Sequence, residues 1–98
     1  MFARVSRYEA PADQVDQAIQ GFEAATGSLR QMEGIQRAYL LVDRTSGKAL
    51  TITVWDSEES MRATEQAANQ LRSQAMGASG GSVLEVESYE VVTQEDFT

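Results

Sequence analysis

Ile35-Gln36-Arg37-Ala38-Tyr39-Leu40-Leu41-Val42-Asp43-Arg44-Thr45-Ser46-Gly47-Lys48-Ala49-Leu50-Thr51-Ile52-Thr53-Val54-Trp55 reads as two strands, 35–43 and 48–55, joined by a tight turn. Both arms are rich in β-branched and aromatic residues. Thr45-Ser46-Gly47 suits a three-residue loop, with Gly47 in the left-handed position of a bulge. Such a loop pairs Arg44 with Lys48, and so sets Val42 opposite Leu50, Leu40 opposite Ile52 and Ala38 opposite Val54. One face is then wholly apolar, while the other carries Arg37, Tyr39 and Leu41 beside Thr51, Thr53 and Trp55. A slip of one residue would mix the two sets, which a buried face resists.

Working outward, Asp56 or Ser57 is placed to cap a second helix, with Glu58 and Glu59 in its first turn where the helix dipole favours negative charge. Met61, Thr64, Ala68, Leu71 and Ala75 form its inward stripe. Gly77-Ala78-Ser79-Gly80-Gly81-Ser82 reads as a flexible connector to a last strand over 83–93. That strand sets Leu84 and Val86 on one face and Val83, Glu85, Glu87, Tyr89 and Val91 on the other. On the N-terminal side, residues 2–9 alternate as a strand and Ala10-Pro11-Ala12 closes it. Asp13 is an N-cap candidate for a first helix whose stripe is Val15, Ala18, Ile19, Phe22, Ala25, Leu29 and Met32. A kink is expected at Thr26-Gly27-Ser28, and Gly34 ends the segment.

The order β-α-β-β-α-β is the split-βαβ arrangement, an α+β fold with a four-stranded antiparallel sheet and two helices on one face. Residues 1–93 make one domain, followed by a short acidic tail over 94–98. Two helices cover one face only, so Phe2, Tyr8, Tyr39, Leu41, Trp55 and Tyr89 are expected on the other, a patch larger than a monomer leaves in water. Pairing with a second copy, most simply about a two-fold axis, would cover it. Arg4, Ser6, Arg37, Thr51 and Thr53 fall on the same face, and polar groups so enclosed need partners, water or a ligand. The expected site is therefore a chamber between two copies, with Arg4, Ser6, Tyr8, Arg37, Tyr39, Thr53 and Trp55 as ligand-binding candidates.

Composition prunes the function classes. The chain has 98 residues, no cysteine and no histidine, which removes disulfides, thiol nucleophiles and the commonest general base and metal ligand. Net charge is −7; the first 50 residues carry six basic and six acidic side chains, the remainder two and nine. Neither half has the basic footprint of nucleic-acid binding. No apolar run is long enough to span a bilayer and the N-terminus lacks the apolar core of a signal peptide, so the expected location is the cytoplasm. Glu85 and Glu87 share a strand face without a further carboxylate beside them, so no metal site is expected. The glycine-rich connector lacks the lysine and preceding strand of a phosphate loop.

The stretch from Gly34 through Tyr39-Leu40-Leu41-Val42-Asp43-Arg44, Gly47 and Leu50-Thr51-Ile52-Thr53-Val54-Trp55-Asp56-Ser57-Glu58-Glu59-Ser60-Met61 resembles the antibiotic-biosynthesis monooxygenase (ABM) superfamily. In that family the third strand ends in a tryptophan and runs into the second helix. The opening Ala3-Arg4-Val5-Ser6-Arg7-Tyr8 followed by Pro11 is similar too. The resemblance implies a ferredoxin-like domain that pairs as a dimeric α/β barrel. It also implies a range of activities, from cofactor-independent oxygenation of anthrones and quinols to haem degradation and isomerisation. Where many members carry a histidine nine residues after the tryptophan, Thr64 stands here, and a histidine-free chain lacks the haem-degrading constellation.

Each candidate has a structural and a chemical reading. Trp55 walls an aromatic pocket or seals the strand end; Tyr8 and Tyr39 hydrogen-bond a ligand oxygen or serve as interface tyrosines. Arg4 and Arg37 stabilise a phenolate or enolate, or else form cross-dimer salt bridges to Glu85 or Glu87. Three functions stay open. The first is a monooxygenase without cofactor, or an isomerase, acting on a small aromatic, quinol or polyketide-like molecule. The others are a homodimer that only binds a small hydrophobic or aromatic ligand, and a structural dimer filled by its own side chains.

Overall fold

The computed structural model describes residues 1–97 and, within them, all side chains but those of residues 78 and 79. Thr98, the end of the expected acidic tail, lies outside the described residues. In chain order the elements are β1 (Phe2–Glu9), a single 3-10 turn (Ala12–Gln14), α1 (Val15–Arg30), β2 (Ile35–Val42), β3 (Lys48–Trp55), α2 (Glu58–Ala63), α3 (Glu65–Ser79) and β4 (Ser82–Glu90). The sheet is antiparallel with strand order β2-β3-β1-β4. The helices lie on one face, as the split-βαβ order requires. Small residues bring α1 and α3 together: a Cβ on Gly21 would sit 3.2 Å from the Ala75 Cα and carbonyl oxygen.

Local chemistry explains where the elements begin and end. Ser57 is extended and its hydroxyl accepts from the Ser60 amide at 3.1 Å, an N-cap as expected. Asp13 does not cap α1; it lies inside the 3-10 turn that Pro11 starts and makes no capping bond. No break occurs at Thr26-Gly27-Ser28, because α1 runs through to Arg30 and the Thr26 hydroxyl bonds back to the Phe22 carbonyl at 3.2 Å. The second helix is split instead, at Thr64, into α2 and α3. The first half of the expected connector is helix: α3 continues to Ser79 and stops at Gly80, whose φ of 71° is the left-handed cap glycine accommodates without strain. The last strand ends at Glu90 rather than residue 93.

The hairpin corrects the expected register by one residue. Leu41 pairs with Leu50, Leu40 with Thr51, Tyr39 with Ile52 and Ala38 with Thr53. The cause is Asp43. Its amide donates to the Lys48 carbonyl at 2.8 Å, while its carboxylate accepts from the Thr45 amide at 2.9 Å and the Ser46 amide at 3.4 Å. This Asx turn makes the loop four residues long, Arg44 to Gly47, instead of three. Gly47 does take the left-handed conformation expected, with φ of 81°. A bulge at Gln36 adjusts the other end of β2.

That one-residue change inverts the central strands. The outer strand β2 presents the faces read from its alternation, and β4 does so over Glu85–Tyr89, beyond the irregularity where Leu84 has no partner on β1. In β1 and β3, however, Arg4, Ser6, Tyr8, Thr51, Thr53 and Trp55 lie beneath the helices. Ala3, Val5, Leu50, Ile52 and Val54 take the opposite face. Trp55 is fully buried and Tyr8 is 1% exposed, within a core cluster that includes Ala10, Ala18 and Met76. The uncovered face carries Val5, Leu50 and Ile52 from the central strands, with Tyr39, Leu41 and Tyr89 each about half exposed. At one end the tail runs along it, tied by the Val91 amide to the Met1 carbonyl at 2.9 Å.

Candidate functional site

Between the helix layer and the sheet lies a cavity of about 140 Å³. Its sheet wall comes from alternate residues of β1 (Arg4, Ser6 and Tyr8) and from their cross-strand neighbours Thr53 and Thr51 on β3. Phe22 and Leu29 of α1 and Leu71 of α3 supply apolar walls. Glu23 is the one carboxylate lining the cavity among the described residues, and Arg72 enters from α3.

Arg4 is 3% exposed and held on two sides. Its guanidinium lies 5.3 Å from the centroid of the Trp55 ring, a cation–π contact strengthened by burial. Nη2 donates to the Met61 carbonyl in the last turn of α2, where the negative end of the helix dipole suits a cation. The break at Thr64 thus gives Arg4 an acceptor, which the Thr64 hydroxyl shares at 3.1 Å. Nη1 has no hydrogen-bond partner among the described residues. Arg72, 8% exposed, donates from Nη2 to Asn69 Oδ1 at a long 3.4 Å, and its Nε has no partner. Burial lowers the pKa of both guanidinium groups, and for Arg4 the charge of Arg72 lowers it further. Both remain cations, since arginine does not deprotonate in proteins. Neither lies within 4 Å of a carboxylate among the described residues.

At the other end of β1 the Tyr8 hydroxyl meets Thr51 Oγ1 at 2.9 Å and also hydrogen-bonds Ser6. Its ring packs edge-on to Phe22, centroids 4.9 Å apart. Burial pushes the phenol's pKa up, so Tyr8 is a neutral hydrogen-bonding group near pH 7 rather than a base. The Trp55 indole N–H donates to Thr53 Oγ1 at 2.9 Å.

The structure therefore brings together Arg4, Ser6, Tyr8 and Thr53, with Trp55 supporting Arg4 from behind. They meet inside one subunit under the helices, not in a chamber on the uncovered face. Tyr39 reaches the rim from β2 and is 48% exposed. Arg37 is not part of the cavity; it is exposed beside Tyr39 and the tail, with which it lines a separate groove. Within the subunit Glu85 and Glu87 face Arg7, at 3.7 Å to each, and neither Arg4 nor Arg37 lies within 4 Å of them. Arg72, Phe22 and Glu23 were not among the expected site residues. For Arg72 a signal existed: it stands four residues after Ala68 and four before Met76, within the buried stripe of α3. No cluster of three or more potential metal ligands occurs among the described residues, and no helix among them is long and apolar enough to cross a membrane.

Comparison with known proteins agrees with this architecture. The uncharacterized protein Rv2557 of Mycobacterium tuberculosis is 35% identical over 91 residues, covering 90% of this chain and 40% of the relative. The chain thus spans about two fifths of the length of that curated relative. Among solved structures, a Deinococcus radiodurans protein assigned as an antibiotic biosynthesis monooxygenase superposes with a TM-score of 0.77 at 18% identity, over 100% of this chain and 99% of its own. SnoaB, a cofactor-independent oxygenase from Streptomyces nogalater, gives 0.76 at 17% identity, over 95% and 94%. At such identities these structures establish a shared fold and not a shared chemistry. The sequence profile described as Antibiotic biosynthesis monooxygenase matches residues 1–76, so the chain belongs to the antibiotic biosynthesis monooxygenase family.

Proposed function

We propose that the chain is a cofactor-independent monooxygenase of a small phenol or quinol, and that the reaction takes place in the cavity beneath α1 and α3. The observation that carries this reading is Arg4: a buried cation that lines the cavity, fixed over Trp55, with its Nη1 left without a partner among the described residues. A cation in a water-poor site favours the ionised form of a phenol. The phenolate then supplies the first electron itself, as fits a chain with neither histidine nor cysteine. The oxygenase activity of SnoaB, on the same fold, supports the assignment by analogy.

The steps balance as follows. The phenol loses its proton, for which Glu23 is the carboxylate at hand. The phenolate passes one electron to dioxygen, and the two radicals combine to form a C–O bond at a ring carbon. Loss of that carbon's proton breaks the O–O bond, leaving a carbonyl; hydroxide and proton leave as water. One oxygen atom enters the quinone product and the other becomes water. Arg4 stabilises the anion, Tyr8, Ser6 and Thr51 present hydroxyls to the ring oxygens, and Phe22, Leu29 and Leu71 hold the ring and exclude solvent. An oxygen electrode with a phenol and hydroquinone panel tests this: uptake should match product one to one and fall at least a hundredfold in Arg4→Met. A ligand that binds with no uptake would make the protein a binding module instead.

The uncovered sheet face is proposed to pair with a second copy of the chain. Val5, Leu50 and Ile52 run down its centre, flanked by Tyr39, Leu41 and Tyr89. Arg7 with Glu85 and Glu87 supplies both signs of charge on that face. A self-complementary two-fold contact would cover the patch.

A further inference from the structure

The proposed reaction calls for one cation, and the cavity holds two. We infer that the substrate is a single-ring hydroxylated aromatic acid, its ionised ring oxygen facing Arg4 and its acid group facing Arg72. This rests on the reading that the cavity is the substrate site. Arg72 is 8% exposed, less enclosed than Arg4 or Tyr8 but still buried, yet its only hydrogen bond among the described residues is the long one to Asn69, and Nε has none. Buried polar groups are almost always paired, and a guanidinium matches a carboxylate in geometry as well as charge. No carboxylate lies within 4 Å of either cation among the described residues, and Glu65 acts on both only from farther away, so an ionised phenol bearing a carboxylate would supply the close anionic partners that are missing. Burial and the charge of Arg72 depress the pKa of Arg4, opposed in part by Glu65, a penalty that a bound anion would relieve further. Size sets the number of rings. A cavity of about 150 Å³ accepts benzene, and the one here is about 140 Å³. A fused tricyclic substrate would not be enclosed.

The test compares 2,5-dihydroxybenzoate with its neutral amide, 2,5-dihydroxybenzamide, by titration calorimetry on the unaltered protein. The acid should bind at least tenfold more tightly. Arg72→Met should bring the acid's affinity down to that of the amide, and Arg72→Lys, which keeps the charge but not the fork, should fall between them. Equal affinity for acid and amide in the unaltered protein, or no binding of either, overturns the inference and needs no variant to do so. The oxygenase reading fails separately. Tighter binding of the acid without oxygen uptake would sink that reading alone, whereas uptake with hydroquinone and no preference for the acid would sink only the choice of substrate.

Discussion

Replacing Arg72 by methionine should make the ligand-free protein more stable. The side chain gives up one 3.4 Å hydrogen bond to Asn69, worth at most about 1 kcal/mol at that length, and a screened attraction to Glu65 beyond 4 Å that adds little. Methionine has nearly the same helix propensity and a similar reach, so α3 is not weakened. In return the change removes an unpartnered buried N–H, which costs about 1–3 kcal/mol, and the repulsion felt by Arg4. Arg72 also borders a groove between α3 and β4, so its desolvation is partial and the lower end of the range applies. The net gain is about 1 kcal/mol, or a rise in melting temperature of roughly 4–8 °C for a domain of this size. Thermal unfolding in a carboxylate-free buffer reads this directly. Saturating aromatic acid should reverse the order, because the unaltered protein, which binds the acid at least tenfold more tightly, gains more binding free energy. A ligand-free loss of more than about 1 kcal/mol in Arg72→Met would refute the reasoning, since it would mean that Arg72 holds the fold together.

Alkaline unfolding should report on Tyr8. Its folded-state pKa is raised by burial, so the stability it contributes is complete below the unfolded value of about 10 and is lost as pH rises through the folded value. Tyr8→Phe should flatten the fall in melting temperature above about pH 10; an unchanged slope counts against this. Ile52→Asp, in the middle of the uncovered face, should convert a sedimenting dimer to monomer with the circular dichroism spectrum retained; a wild-type protein that is already monomeric disposes of the pairing proposal. Ala68→Leu adds three carbon atoms to the cavity wall and should reduce ligand affinity at least tenfold while leaving the melting temperature equal or higher, since they enter existing space. Undiminished binding would place the ligand elsewhere.

Much of the fold was legible in particular residues. Gly47 marks the hairpin turn, Ser57 with Glu58 and Glu59 marks the start of α2, and the helical stripe from Val15 to Leu29 marks α1. Each of these signals is local, fixed by backbone conformation or by spacing within one element. Arg4, Ser6, Tyr8 and Thr53 were legible as a set because they alternate on neighbouring strands. Arg72 was not, although it interrupts a buried stripe, because a charged residue on an alanine-rich helix ordinarily reads as solvated.

What the sequence alone determined is the order of elements, the family resemblance and the two alternating faces of every strand. Which face turns inward was decided by tertiary structure. Period-two alternation divides β1 and β3 into a polar and an apolar set and is silent on which set meets the helices. The rule that apolar residues go inward points the wrong way for these two strands. The Asp43 carboxylate, by holding the Thr45 and Ser46 amides, lengthens one loop by a residue and shifts the register with it. From the central strands the helices then cover Arg4 and the hydroxyls with Phe2, Tyr8 and Trp55, and Val5, Leu50 and Ile52 are left on the opposite face of the sheet. An apolar cavity with Arg4 and hydroxyls on its sheet wall, and an aliphatic strip in need of cover, both follow from that one turn.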